Sequence, residues 1–96
     1  MPKDRRAVES ALLRKGFIKE EGDHHYFYYC TTDGKRTSIR TKTSHSMREI
    51  SDPLLSAMAR QVKLTRPELL KLVECTLSRD EYESHLISEN AVVLPS

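Results

Sequence analysis

Residues 24–31, HHYFYYCT, constrain the fold of this chain more than any other stretch. Five of the eight are aromatic or β-branched and helix-favouring types are absent, which predicts a strand. Thr32-Asp33-Gly34 reads as a tight turn, and Lys35–Lys42 (KRTSIRTK) runs back as its hairpin partner. Loop length then decides which side chains share a face, because a slip of one residue moves each side chain to the other side of a sheet. A two-residue Asp33-Gly34 loop sets Arg40 beside Phe27 on one face and Ile39 beside Tyr28 on the other. A three-residue loop with Gly34 in the left-handed bulge position pairs Thr31 with Lys35, Tyr29 with Thr37, Phe27 with Ile39 and His25 with Thr41. It gathers Phe27, Tyr29, Thr37 and Ile39 on one face, and His24, Tyr26, Tyr28, Arg36, Ser38, Arg40 and Lys42 on the other. Because it separates apolar from basic side chains, the three-residue loop is the expected one.

The flanking segments supply the rest of an α+β domain. Residues 4–15 carry Ala7, Val8, Ala11, Leu12 and Leu13 near helical spacing, with Asp4 as a cap and Gly16 as a left-handed stop. Phe17 and Ile18 begin a first strand that fades into Lys19-Glu20-Glu21 before a turn at Gly22-Asp23. Ser51-Asp52-Pro53 sets a capping residue before a proline at the first helical position, ahead of Leu54, Leu55, Met58, Ala59 and Val62. Thr65-Arg66-Pro67-Glu68 is a capping box, and Ser78-Arg79-Asp80-Glu81 repeats the device before Tyr82, Leu86 and Ile87. Residues 90–96 read as a tail or a short further strand. The order is α-β-β-β-α with a three-stranded antiparallel sheet and extra C-terminal helices. The leucine rows of residues 54–73 are core or the interface of a homo-oligomer.

Ninety-six residues suffice for one domain, and 38% hydrophobic with 31% charged residues is too apolar for disorder. No apolar run has the length of a membrane span, and Met1-Pro2-Lys3-Asp4 opens on charge, unlike a signal peptide, so a cytoplasmic protein is expected. Cys30 and Cys75 have no zinc-ribbon spacing and read as reduced packing residues. The histidines at 24, 25, 45 and 85 form no HxxxH pair, so neither metal nor cofactor is expected, and His45 and His85 read as ordinary surface residues. The net charge of +2 hides an asymmetry: eleven Lys/Arg against six Asp/Glu through residue 48, and five against eight thereafter. The basic half is the side suited to a polyanion.

The order Lys15-Gly16-Phe17, Gly22-Asp23-His24-His25, a strand and then Asp33-Gly34-Lys35-Arg36 resembles the HicA family of bacterial toxins. The likeness extends through Ser44-His45-Ser46, Glu49-Ile50 and the helices of residues 54–73, covering roughly residues 7–74. It implies a double-stranded-RNA-binding-like fold, with residues 1–74 as an RNA-binding and RNA-cleaving unit and 75–96 as a helical extension of the same domain. It also implies a metal-independent endoribonuclease acting on mRNA, with a HicB-type antitoxin as protein partner. The family's catalytic histidine corresponds to His24, with His25 as the second choice. Two departures stand out. Asp23 replaces the usual small residue, and the third strand ends Arg40-Thr41-Lys42 where the family has a valine-rich segment closing in proline.

RNA carries its own nucleophile, the 2′-OH, so cleavage needs a base, an acid and groups that hold the phosphate. Histidine suits the proton transfers because it titrates near neutral pH. Arg36, Arg40 and Lys42 suit the phosphate, and Tyr26 and Tyr28 suit stacking on bases. On the expected register all five share a face with His24, whereas His25 points away and His45 reaches the site only if its loop folds back. Three function classes follow: the ribonuclease, an RNA-binding module that does not cut, and a protein-interaction domain. In the second, Asp23 marks lost activity; in the third, the C-terminal helices form a dimer or partner surface. The plain structural alternatives are that His24 merely begins a strand and that the tyrosines are a half-buried face packing against the C-terminal helices.

Overall fold

A computed structural model describes residues 3–89 of the chain. The segment Asn90–Ser96, expected as a tail or strand, lies outside the described residues. Asp4 ends the short strand β1 (Lys3–Asp4), and its carboxylate accepts the Ala7 N–H at 3.1 Å, opening helix α1 (Arg5–Arg14). Val8, Ala11 and Leu12 form the buried stripe of α1, while Leu13 is exposed. Gly16, at φ +99°, turns the chain into β2 (Phe17–Glu21). A side chain at that position would also collide with Arg79 and Tyr29.

β2 pairs antiparallel with β3 (His25–Cys30), and β3 with β4 (Arg36–Thr43), giving a three-stranded sheet in the order β2-β3-β4. The turn between β3 and β4 is Thr32-Asp33-Gly34, with Gly34 at φ +90° and the Thr31 N–H donating to the Lys35 carbonyl at 2.8 Å. Cys30 accordingly pairs with Arg36, but further along Tyr28 pairs with Arg40, Phe27 with Thr41 and His25 with Thr43. The expected pairs Phe27–Ile39 and His25–Thr41 are thus displaced by two residues. Thr37 explains the irregularity. Its hydroxyl donates to the Tyr29 carbonyl at 2.7 Å and accepts the Ile39 N–H at 3.2 Å, standing in for ladder bonds. An even displacement leaves each side chain on its side of the sheet, so the two faces survive.

Phe17, Phe27, Tyr29 and Ile39 on the inner face join Val8 and Leu12 of α1 in a single core. Leu55 and Met58 of α2 (Asp52–Gln61) and Leu69 and Leu72 of α3 (Arg66–Val73) close it. The leucine rows are therefore mostly core, with Leu54 left exposed. Ser51 occupies the N-cap of α2 but its side chain makes no capping bond there; Pro53 and Asp52 carry the start of that helix. Both capping boxes form, Thr65 with Glu68 on α3 and Ser78 with Glu81 on α4 (Arg79–Ser88). β5 (Glu49–Ile50) pairs with β1 in a second, two-stranded sheet that has no sequence signature. The fold is α+β, with four helices among the described residues.

Helix α4 is built into the core. Its Tyr82 is fully buried, with ring centroids 5.9 Å from Phe17 and 5.1 Å from Tyr29, and its hydroxyl donates to the Val62 carbonyl at 2.9 Å. Arg79 donates to the Cys30 and Thr31 carbonyls at 2.9 and 3.2 Å. Among the described residues, no helix is long and apolar enough to cross a membrane. Both cysteines are free; Cys30 is half-buried, whereas Cys75 is exposed and so is not the packing residue expected of it.

Candidate nucleic-acid interface

The helices cover one side of the sheet and leave the alternate side chains of β3 and β4 facing outward. Tyr26 and Tyr28 are half-buried there, while Arg36, Ser38, Arg40 and Lys42 are exposed. The register sets Tyr26 across from Lys42 and Tyr28 across from Arg40. The Arg36 guanidinium lies 3.9 Å from the Tyr28 ring centroid, and Arg40 lies 5.9 Å from the rings of both Tyr26 and Tyr28. Arg40 also donates to the Tyr28 hydroxyl at 3.2 Å. The result is a pair of tyrosine rings, with Arg36 lying over one of them and Arg40 near both. Tyr26, Arg40 and Lys42, with Thr41 and Gln61, line a shallow pocket of about 240 Å³ at the β4 side.

A carboxylate of β2 interrupts this face. Glu20, across from Tyr26 on β2, is paired with Arg36 and raises the guanidinium's pKa further. Exposed ion pairs of this kind exchange readily with other anions, since each contributes little in water. Arg40 is likewise pushed up by its bond to the Tyr28 hydroxyl, so both arginines are firm cations.

The four histidines fall into different places. His24 does not start the strand; it lies in the turn before β3, at the rim of the outer face, with its ring centroid 6.1 Å from that of Tyr26. Its Nδ1 is 3.5 Å from Asp23 Oδ2 and makes no hydrogen bond. Asp23 is engaged instead by the Tyr26 hydroxyl at 2.8 Å, and that bond, joined by the attraction of His24, holds its carboxyl below the usual range. The same bond raises the pKa of Tyr26 and keeps it a neutral phenol.

His25 faces inward and is nearly buried at 8% exposure, so the fold does not bring it to the basic face. Its Nδ1 lies 3.0 Å from Glu21 Oε1, directly across the β2–β3 pair. His45, expected as an ordinary surface residue, folds back from the loop after β4 and packs against His25, with centroids 3.9 Å apart and the rings tilted by 40°. Its Nε2 lies 3.1 Å from the Gly22 carbonyl. His85, on α4, meets the Lys63 carbonyl at 2.7 Å. His45 also borders a pocket of about 490 Å³ lined by Arg5, Arg6 and Arg48. Sequence reasoning does not find the Glu21–His25–His45 cluster or this arginine-lined pocket. A three-residue turn at Gly22-Asp23-His24 would set Glu21 opposite His25, but nothing local indicates where the loop bearing His45 goes.

Comparison with known proteins finds no matching family model, no matching curated protein and no matching solved structure. The likeness to the HicA family rests on the sequence motifs alone.

Proposed function

We propose that this protein binds RNA on the outer face of its three-stranded sheet and cleaves it beside His24, acting in the cytoplasm as the toxin of a HicA-type toxin–antitoxin pair. The observation that carries the reading is the gathering of Tyr26, Tyr28, Arg36, Arg40 and Lys42 on one open face. The half-buried Tyr26 ring gives a base a flat surface to stack on, Tyr28 offers another once Arg36 leaves its face for a phosphate, and the cations hold the phosphates between them. Arg36 exchanges Glu20 for a phosphate oxygen when RNA arrives. In the cleavage step His24 takes the 2′-OH proton, the freed oxygen attacks the adjacent phosphorus, and the 5′-oxygen leaves with a proton from solvent or a second acid. Arg40 stabilises the charge that builds on the phosphate oxygens. The protein partner this reading implies is a HicB-type antitoxin.

A second reading, binding without scission, draws on a specific feature. The other imidazoles that a two-histidine acid–base mechanism would use, His25 and His45, pack against each other, with His25 turned inward from the outer face. The two readings separate in one assay with chelator present, using purified wild type, His24→Ala and His25→Ala against an RNA strand and its DNA equivalent. The toxin reading expects scission of RNA only, reduced about 100-fold or more in His24→Ala, the usual scale for a lost general base. Intact RNA in a salt-sensitive complex establishes the binding module. Absence of any complex at low salt removes both and leaves a protein-interaction domain.

A further inference from the structure

We propose that Glu21, His25 and His45 form a binding site for a single divalent transition-metal ion of the zinc class, on the side of β3 away from the proposed RNA-binding face. One carboxylate oxygen and one ring nitrogen from each histidine all lie within 4.8 Å of one another. They come from three separate places in the chain: the end of β2, the start of β3 and the loop that follows β4. Such convergence of two imidazoles and a carboxylate matches the protein donor set of open zinc sites.

The distances suit a metal. Ligand atoms bound at about 2.1 Å from one ion stand roughly 3.0–3.4 Å apart, depending on the coordination angle. Glu21 Oε1 and His25 Nδ1 are already 3.0 Å apart. Glu21 and His45 are both exposed, so rotation of these two side chains closes the remaining gap around the anchored His25. His45 has the outer support expected of a ligand. Its Nε2–H donates to the Gly22 carbonyl at 3.1 Å, which leaves the lone pair on Nδ1 available for a metal. The hydroxyl of Thr43, paired with His25 across the sheet, is turned to Glu9 at 2.6 Å and does not compete.

One group does compete. The Lys19 ammonium sits 3.1 Å from Glu21 Oε1, so it must leave that oxygen or be matched by metal on the other. The arginines of the neighbouring pocket add positive charge, of which Arg5 is already paired with Glu9 at 3.1 Å. Both facts favour an ion bound through directional nitrogen bonds over a hard cation bound by charge alone. Magnesium and calcium, which require several oxygen donors, do not fit this set.

The test is calorimetric titration of the chelator-stripped full chain with zinc chloride, backed by the visible spectrum of the cobalt(II)-loaded protein. One equivalent is expected to bind wild type, with no binding of magnesium. Glu21→Gln and His45→Gln, both at exposed positions that leave the fold intact, should each weaken zinc binding at least about ten-fold. Lys19→Met should tighten it, an effect that a merely structural ion pair would not give. His24→Ala should leave it unchanged, which keeps this site separate from the cleavage reading. The cobalt spectrum should lack thiolate charge-transfer bands, excluding Cys30 and Cys75 as ligands. Failure of wild type to bind one equivalent, or unchanged affinity in both Glu21→Gln and His45→Gln, overturns the proposal.

Discussion

Glu83 does more for this fold than its place on a helix surface suggests. Through Oε1 it accepts the Tyr29 hydroxyl at 2.6 Å and the Thr32 N–H at 2.9 Å, and through Oε2 the Thr32 hydroxyl at 2.9 Å. Burial alone would raise its pKa, but these donors outweigh that and hold the carboxyl below its usual value. A carboxyl whose folded pKa is depressed contributes stability that is complete above its unfolded value, about 4.3, and is lost as pH falls through the folded value. Glu83→Gln should therefore cost about 1–2 kcal/mol at pH 7, where the charge-assisted bonds are lost. The deficit against wild type should shrink below about pH 4 as the wild-type carboxyl takes up its proton. Denaturant melts of both proteins across that range check the sign; a deficit that grows toward acid would contradict it. The same residue ties α4 to the turn that leads into β4, so its loss is also felt at the edge of the candidate RNA face.

Among the elements, α4 shows how local signals and tertiary contacts divide the work. The Ser78–Glu81 capping box fixes where the helix begins and is readable in four residues. Where it docks depends on Tyr82, which packs against both Phe17 and Tyr29, and on Arg79 reaching the carbonyls at the end of β3. Tyr82→Ala should cost about 4 kcal/mol, the scale for removing a fully buried aromatic ring, while Ser78→Ala costs about 1 kcal/mol. Thermal unfolding of the two variants measures the difference, and similar losses would mean that α4 is held by its cap rather than by its packing. β4 makes the complementary point. Its alternation is legible in the sequence, yet the displacement at Thr37 is not, because a hydroxyl that replaces two ladder bonds leaves no mark on a pattern of apolar and polar residues.

At the scale of the whole molecule, the basic first half supplies the sheet that faces outward, and the acidic second half supplies α2, α3 and α4. If the outer face holds RNA phosphates, binding should weaken linearly in log–log form with salt. Replacing Arg40 and Lys42 by glutamine should flatten that slope by about 0.7 for each single-strand phosphate that is no longer neutralised. Equilibrium binding of a short RNA at several salt concentrations gives the slopes, and an unchanged slope would place the RNA elsewhere. The sequence by itself determined the helices, because their caps and apolar spacing are local, and the two sides of the β3–β4 hairpin, because a period of two survives even displacements of register. It also marked Tyr26, Tyr28, Arg36, Arg40 and Lys42 as residues of one face. Only the tertiary structure decided where His24 and His45 ended. The period of two already turned His25 inward, but the fold set His24 in a turn and brought His45 back from a loop against His25. Loop paths are set by contacts between residues far apart in the chain, and no short window of sequence encodes them.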